Sequence, residues 1–184
     1  MKENSTVVIG IGNILFMDEG VGIYAAKYLD ENYEFSPSVD IIDGGTLGFK
    51  LMTYYQGYDK VVILDTVSIE DGPGSVYNLP ADALLGIGSY RQTAHEVEVV
   101  EMLEICSMLD KMAEVNVIGI IPEDIESVEI DMTKTMKDNF QGLIDTAIKE
   151  LEKVGIVATL KKEQKSLNTI IKEYNSPTMA THIT

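Results

Sequence analysis

The sequence predicts an α/β domain whose sheet is covered by helices on both faces. Short β-branched runs alternate with helical patterns along the chain, and most of these runs are continuously apolar, as strands buried on both faces are. The 184 residues, 45% hydrophobic and 24% charged with only five prolines, are enough to bury the core of one globular unit.

Five strands are expected, in order Val7 to Ile11, Val39 to Ile42, Val61 to Leu64, Ser75 to Leu79 and Val115 to Ile121. Val21, Ala25, Tyr28 and Leu29 share one helical face, which predicts a helix after the first strand that runs to about Glu31. A shorter helix is expected after Thr46. A third, from about Ala94 to Met112, is apolar on most sides, with Glu98, Glu101 and Glu104 as its solvent stripe. The fourth runs from about Met132 to Val154, and Gly155 supplies its C-terminal cap. Residues 1–155 are thus read as one α/β domain. Residues 156–184, rich in lysine, serine and threonine, are read as a loosely attached tail with room for one short helix and no part in chemistry.

Thirty acidic against 14 basic side chains give a formal charge of −16, which repels a nucleic-acid backbone and argues against DNA or RNA as a partner. The single cysteine, Cys106, permits no internal disulfide and no thiolate cluster, and its apolar helical setting is that of a buried structural thiol. The sequence shows no basic-then-apolar leader and no apolar run of the roughly 18 residues that span a bilayer. A cytoplasmic protein without membrane insertion is expected.

Open α/β sheets bind ligands outside the carboxyl ends of their strands. There the first strand delivers Gly12 and Asn13 and then the acids Asp18 and Glu19. The second delivers Asp43, Gly44, Gly45 and Thr46, and the third delivers Asp65. Glu19 in a first helical turn either complements the backbone dipole or waits, ionised, for a cation. A carboxylate at the mouth of a central strand, as Asp65 is, costs free energy to bury unless it is paired or bound to a metal. His95 stands in "TAHE", a capping box with Thr93 as N-cap, where the positive end of the helix dipole keeps an imidazole lone pair available. One imidazole and two carboxylates leave coordination positions open, and ligand type alone admits zinc, nickel, manganese or iron.

"GIGNILFMDEGVG", "DGGTLGF", "VVILDTV", the isolated "AHE" and "GIIPEDI" occur in the order found in the peptidases that mature the large subunit of [NiFe] hydrogenases. The chain resembles that family over about residues 5 to 155. The resemblance implies a three-layer α/β/α fold with a twisted, mainly parallel five-stranded sheet of the phosphorylase/hydrolase-like kind. It implies a metal-binding triad, which is here Glu19 in "DEG", Asp65 in "LDT" and His95 in "AHE". The implied activity is removal of the C-terminal extension of a hydrogenase large-subunit precursor after nickel insertion, by an enzyme catalogued as an aspartic-type endopeptidase. Nickel then arrives with the precursor, and Gly12, Asn13, Asp43, Gly44, Gly45 and Thr46 are candidates for the substrate loops. The chain departs from the family where Glu96 and Val97 follow the histidine, at a position where glutamine is common.

Two rival readings have their own marks. A dinucleotide-binding oxidoreductase fits Gly10-x-Gly12 after a strand and Asp43 ending the next, but Leu15 occupies the third glycine position. A non-enzymatic assembly factor or nickel sensor would use the same acidic cleft without cleaving the precursor.

Overall fold

The computed structural model describes residues 5–46, 50–86, 94–108 and 113–176, with the side chains of 84–86, 94–98, 106 and 107 outside that description. Five strands form the main sheet: β1 (Thr6–Ile11), β3 (Asp40–Gly45), β4 (Lys60–Thr66), β6 (Glu114–Ile120) and β5 (Val76–Pro80). Their order is β3-β1-β4-β6-β5. The first four are parallel, and β5 closes one edge antiparallel to β6. All five overlap the strands expected from the sequence.

Alternation along the strands divides the core in two. Val7, Ile9, Val61 and Ile63 point to one face, where α2 (Leu51–Gly57) and α4 (Ala94–Ser107) contribute Leu51, Tyr55, Val99 and Leu103. Val8, Val62 and Leu64 point to the other. That face is covered by α1 (Val21–Asn32) and α5 (Lys134–Lys153). Thr133 caps α5 by accepting a hydrogen bond from the Met136 amide, and Gly155 takes the left-handed conformation just past its end, φ +82°. The result is an α/β/α sandwich. A short helix not expected from the sequence, α3 (Ala81–Gly86), follows β5. Among the described residues no helix is long and apolar enough to cross a membrane.

The segment after Gly155 is not a loose tail as far as Ser176. Here β7 (Val157–Leu160) pairs antiparallel with β2 (Tyr33–Ser36), a small second sheet. Next, α6 (Leu167–Tyr174) buries Ile170 and Ile171 in the same core as α1 and α5. Buried Asn32 brackets the connection, donating to the Lys165 carbonyl at 3.0 Å and accepting from the Lys165 amide at 2.6 Å. The lysines and serines of this segment face solvent, while two isoleucines and a backbone pairing attach it. Residues 177–184, with His182, lie outside the described residues.

Candidate active site

The glycine-rich turn after β1 is built for close packing of the chain on itself. A Cβ on Gly10 would stand 2.2 Å from the Gly22 carbonyl oxygen, and one on Gly22 would stand 2.1 Å from that of Leu64 and 2.2 Å from that of Ile11. The first turn of α1 therefore rests directly on the ends of β1 and β4. At Gly12, with φ +149°, a Cβ would meet the Glu19 carbonyl oxygen at 2.0 Å. In a dinucleotide-binding loop the corresponding close approach belongs to a pyrophosphate. Here the chain's own Glu19 carbonyl takes that place, which removes the structural basis of the oxidoreductase reading.

Glu19 lies in a single 3-10 turn, Met17–Gly20, that leads into α1 rather than in α1 itself. Its neighbour Asp18 is fully buried. The Asp18 carboxylate accepts from the amides of Glu123 (3.0 Å), Asp124 (2.9 Å) and Thr133 (2.7 Å), and from the Thr133 hydroxyl (3.0 Å). Backbone bonds from Met17 to Glu129 and from Asp18 to Asp124 reinforce the tie. Asp18 thus fastens the turn to the loop after β6, which contains the "GIIPEDI" motif. The acidic pair divides its work: Asp18 is a structural clamp, and half-buried Glu19 is held in place by it. The Glu19 carbonyl also accepts the Asn13 amide at 3.1 Å.

Asp65 is the next-to-last residue of β4, the middle strand, and is 1% exposed. One carboxylate oxygen accepts the Thr66 amide at 2.7 Å. The turn that carries Glu19 packs against this same strand, so the two acids belong to neighbouring elements at the carboxyl end of the sheet. His95 is in the first turn of α4, as expected, while its side chain and Thr93, the expected cap, lie outside the described residues. Among the described residues no three His, Cys, Asp or Glu side chains are grouped to hold a metal ion. The structure thus brings together the elements of Glu19 and Asp65 and leaves the imidazole undescribed.

The substrate-loop candidates gather around a cleft of about 730 Å³ beside the ends of β1 and β3. Gly12, Asn13, Asp43, Gly45 and Thr46 line it, while Gly44 is buried and does not. Asp43 shapes the β3 end by accepting the Gly45 amide at 3.1 Å. The opposite wall includes Tyr174 from α6, whose hydroxyl donates to Asp43 at 3.4 Å. Its ring meets that of Tyr24 edge-on at 5.5 Å. Burial, reinforced by Asp43, raises the Tyr174 pKa, which keeps the hydroxyl a donor. Neither Asp18's clamp nor the place of Tyr174 could be read from the sequence, because their partners lie more than 100 residues away.

Residues 23–150 match the hydrogenase maturation protease family. The chain is 27% identical over 168 residues to the hydrogenase expression/formation protein HupD of Rhizobium leguminosarum bv. viciae, covering 90% of this chain and 83% of that one. It is 26% identical to the hydrogenase 2 maturation protease of Escherichia coli, over 83% of this chain and 93% of the relative. The fold superposes on the hydrogenase maturating endopeptidase HybD from E. coli with a TM-score of 0.78 and 25% identity, covering 85% of this chain and 98% of that structure. With most of its domain matched, and that domain folded as a solved member is, this chain belongs to the hydrogenase maturation protease family.

Proposed function

We propose that this protease removes the C-terminal extension of a [NiFe] hydrogenase large-subunit precursor once nickel is in place, and that Glu19, Asp65 and His95 contact that nickel. The observation that carries the reading is Asp65, a carboxylate 1% exposed at the carboxyl end of the central strand, with the Glu19 turn packed against the same strand. Such a group is costly to bury in a purely structural role and is well placed to meet a cation delivered by a substrate. The clamp at Asp18 and the glycine contacts below it fix the Glu19 turn before substrate arrives, the preorganisation that a coordinating group requires.

Nickel held by the precursor orients the extension so that its scissile carbonyl lies beside the acids. Water attacks that carbonyl, the C–N bond breaks, and the leaving amine takes up a proton. Asp65 accepts the proton from the attacking water, which is the sense in which the enzyme is of aspartic type. Metal recognition makes cleavage conditional, because a precursor without nickel lacks the ligand that the three side chains read. The enzyme acts in the cytoplasm, and nickel belongs to the substrate rather than to the resting enzyme.

Incubation with nickel-loaded and nickel-free precursor, followed by mass measurement of the large subunit, tests this directly. Loss of the extension from the loaded form alone is expected. Equal cleavage of both forms contradicts metal recognition, and binding without loss of mass contradicts the protease activity on this substrate.

A further inference from the structure

The cleft beside β3 is closed on one side by α6, in the segment after Gly155. We propose that this cleft receives the extended C-terminal segment of the precursor polypeptide, and that α6, through Tyr174, forms the wall that selects it. The proposal rests on the precursor-processing reading above.

Three observations support a peptide as the occupant. At about 730 Å³ the cleft falls within the roughly 300–1,000 Å³ of pockets that hold drug-sized ligands, which suits a short stretch of polypeptide. Its lining is mixed: Ile14, Ile23 and Ile41 offer apolar surface, while Asn13, Asp43 and Tyr174 offer donors and acceptors for backbone groups. It is also continuous with the Glu19 turn, because Gly12 and Asn13 both line the cleft and touch the Glu19 carbonyl. A segment lying here would begin beside the turn that carries Glu19.

The α6 wall is a firm one. Ile170 and Ile171 anchor the helix in the core, and Lys165 pairs with both Glu31 (3.1 Å) and Glu173 (2.9 Å). Tyr174 is held between Asp43 and the Tyr24 ring, so α6 helps to set the width of the cleft. Ser176, exposed at the end of this wall, lines the same cleft. This makes α6 a specificity element, in contrast to the expectation that the region after Gly155 takes no part in chemistry.

The test uses the full-length protein and a fluorescein-labelled synthetic peptide with the sequence of the precursor's C-terminal extension. Binding is followed by anisotropy, and cleavage of nickel-loaded precursor is followed in parallel. Tyr174→Ala removes the wall, while Ser176→Trp narrows the cleft from an exposed position without disturbing the core. Both variants are expected to bind the peptide at least tenfold more weakly and to raise KM by a similar factor, with kcat within about twofold of the parent. Tyr174→Phe keeps the ring and should recover most of the binding. Peptide affinity unchanged in both Tyr174→Ala and Ser176→Trp, or no binding by the parent protein, overturns the proposal. Intact precursor alongside normal, wall-dependent peptide binding overturns the processing reading and leaves the cleft assignment standing.

Discussion

The central strand β4 carries a buried charge at each end, and the two ends are handled differently. At the amino end Lys60, 3% exposed, gives its ammonium to Glu114, Asn116 and Glu150, each at 2.7 Å. Glu150 in turn is held by Lys153 and Asn78. Every proton of the ammonium has an acceptor within the protein, so this is a closed network that joins β4, β6 and α5. At the carboxyl end Asp65 lies beside the turn that carries Glu19, which the Asp18 clamp ties to the loop after β6. A buried charge by itself therefore says little about function. What separates the two ends is position: the ammonium is met by side chains of β6 and α5 at the amino end, while Asp65 lies beside the Glu19 turn at the carboxyl ends of the parallel strands, where open α/β sheets bind ligands.

The largest expected effect belongs to the carboxyl end. Asp65→Asn, Glu19→Gln and His95→Ala should each slow cleavage of nickel-loaded precursor by about 100-fold or more, the usual reach of a lost acid–base or electrostatic group. Circular dichroism and the thermal midpoint should stay close to those of the parent. Normal turnover in any one of the three removes that residue from the site.

The closed end should show the opposite pattern. Lys60→Met leaves buried Glu150 without its buried cation, which costs about 3–5 kcal/mol when one partner of a buried pair is removed. Denaturant unfolding measures this, and cleavage per folded molecule should be unchanged. A stability loss below 1 kcal/mol, by the rule for exposed pairs, would show the network to be solvated. Asp18→Asn lies between the two classes. Placing an amide NH2 against donors that now meet an oxygen should cost about 1–3 kcal/mol and also lower cleavage, because the Glu19 turn loses its tie.

The smallest effect is in the pH dependence. Burial pushes the Glu150 carboxyl up, but hydrogen bonds from Lys153, Lys60 and Asn78 outweigh it and hold the pKa at about 2, against an ordinary 4.5. A folded-state value below the unfolded one means that the contribution is complete above pH 4.5 and is lost as pH falls toward 2. The stability advantage of the parent over Glu150→Gln should therefore shrink across that window in acid titrations. A constant difference would contradict the assignment.

The sequence made the inner strands β1, β4 and β6 legible because they are buried on both faces and read as nearly continuous apolar runs. The strands β2 and β7 escaped for the converse reason. They are four residues long and half exposed, and each pairs only with the other, 120 or more residues away. The helix α6 has a clear apolar pair in Ile170 and Ile171, but its lysine- and threonine-rich surroundings masked the docking. At the site, Glu19, Asp65 and His95 could be named because motif order marks them. The clamp at Asp18 could not, since an acid beside Glu19 looks the same in sequence whether it faces a cation or four backbone and hydroxyl donors from a distant loop. Gly10 and Gly12 were legible as a glycine pair after the first strand, while what they approach, the chain's own carbonyls, required the fold.

The most direct test of the account is a crystal of the protein soaked in nickel or cadmium, with the ion located by anomalous scattering. The account predicts a single strong peak within bonding distance of Glu19, Asp65 and His95 at the carboxyl end of β4. A peak elsewhere, with these three side chains turned away from one another, would contradict it.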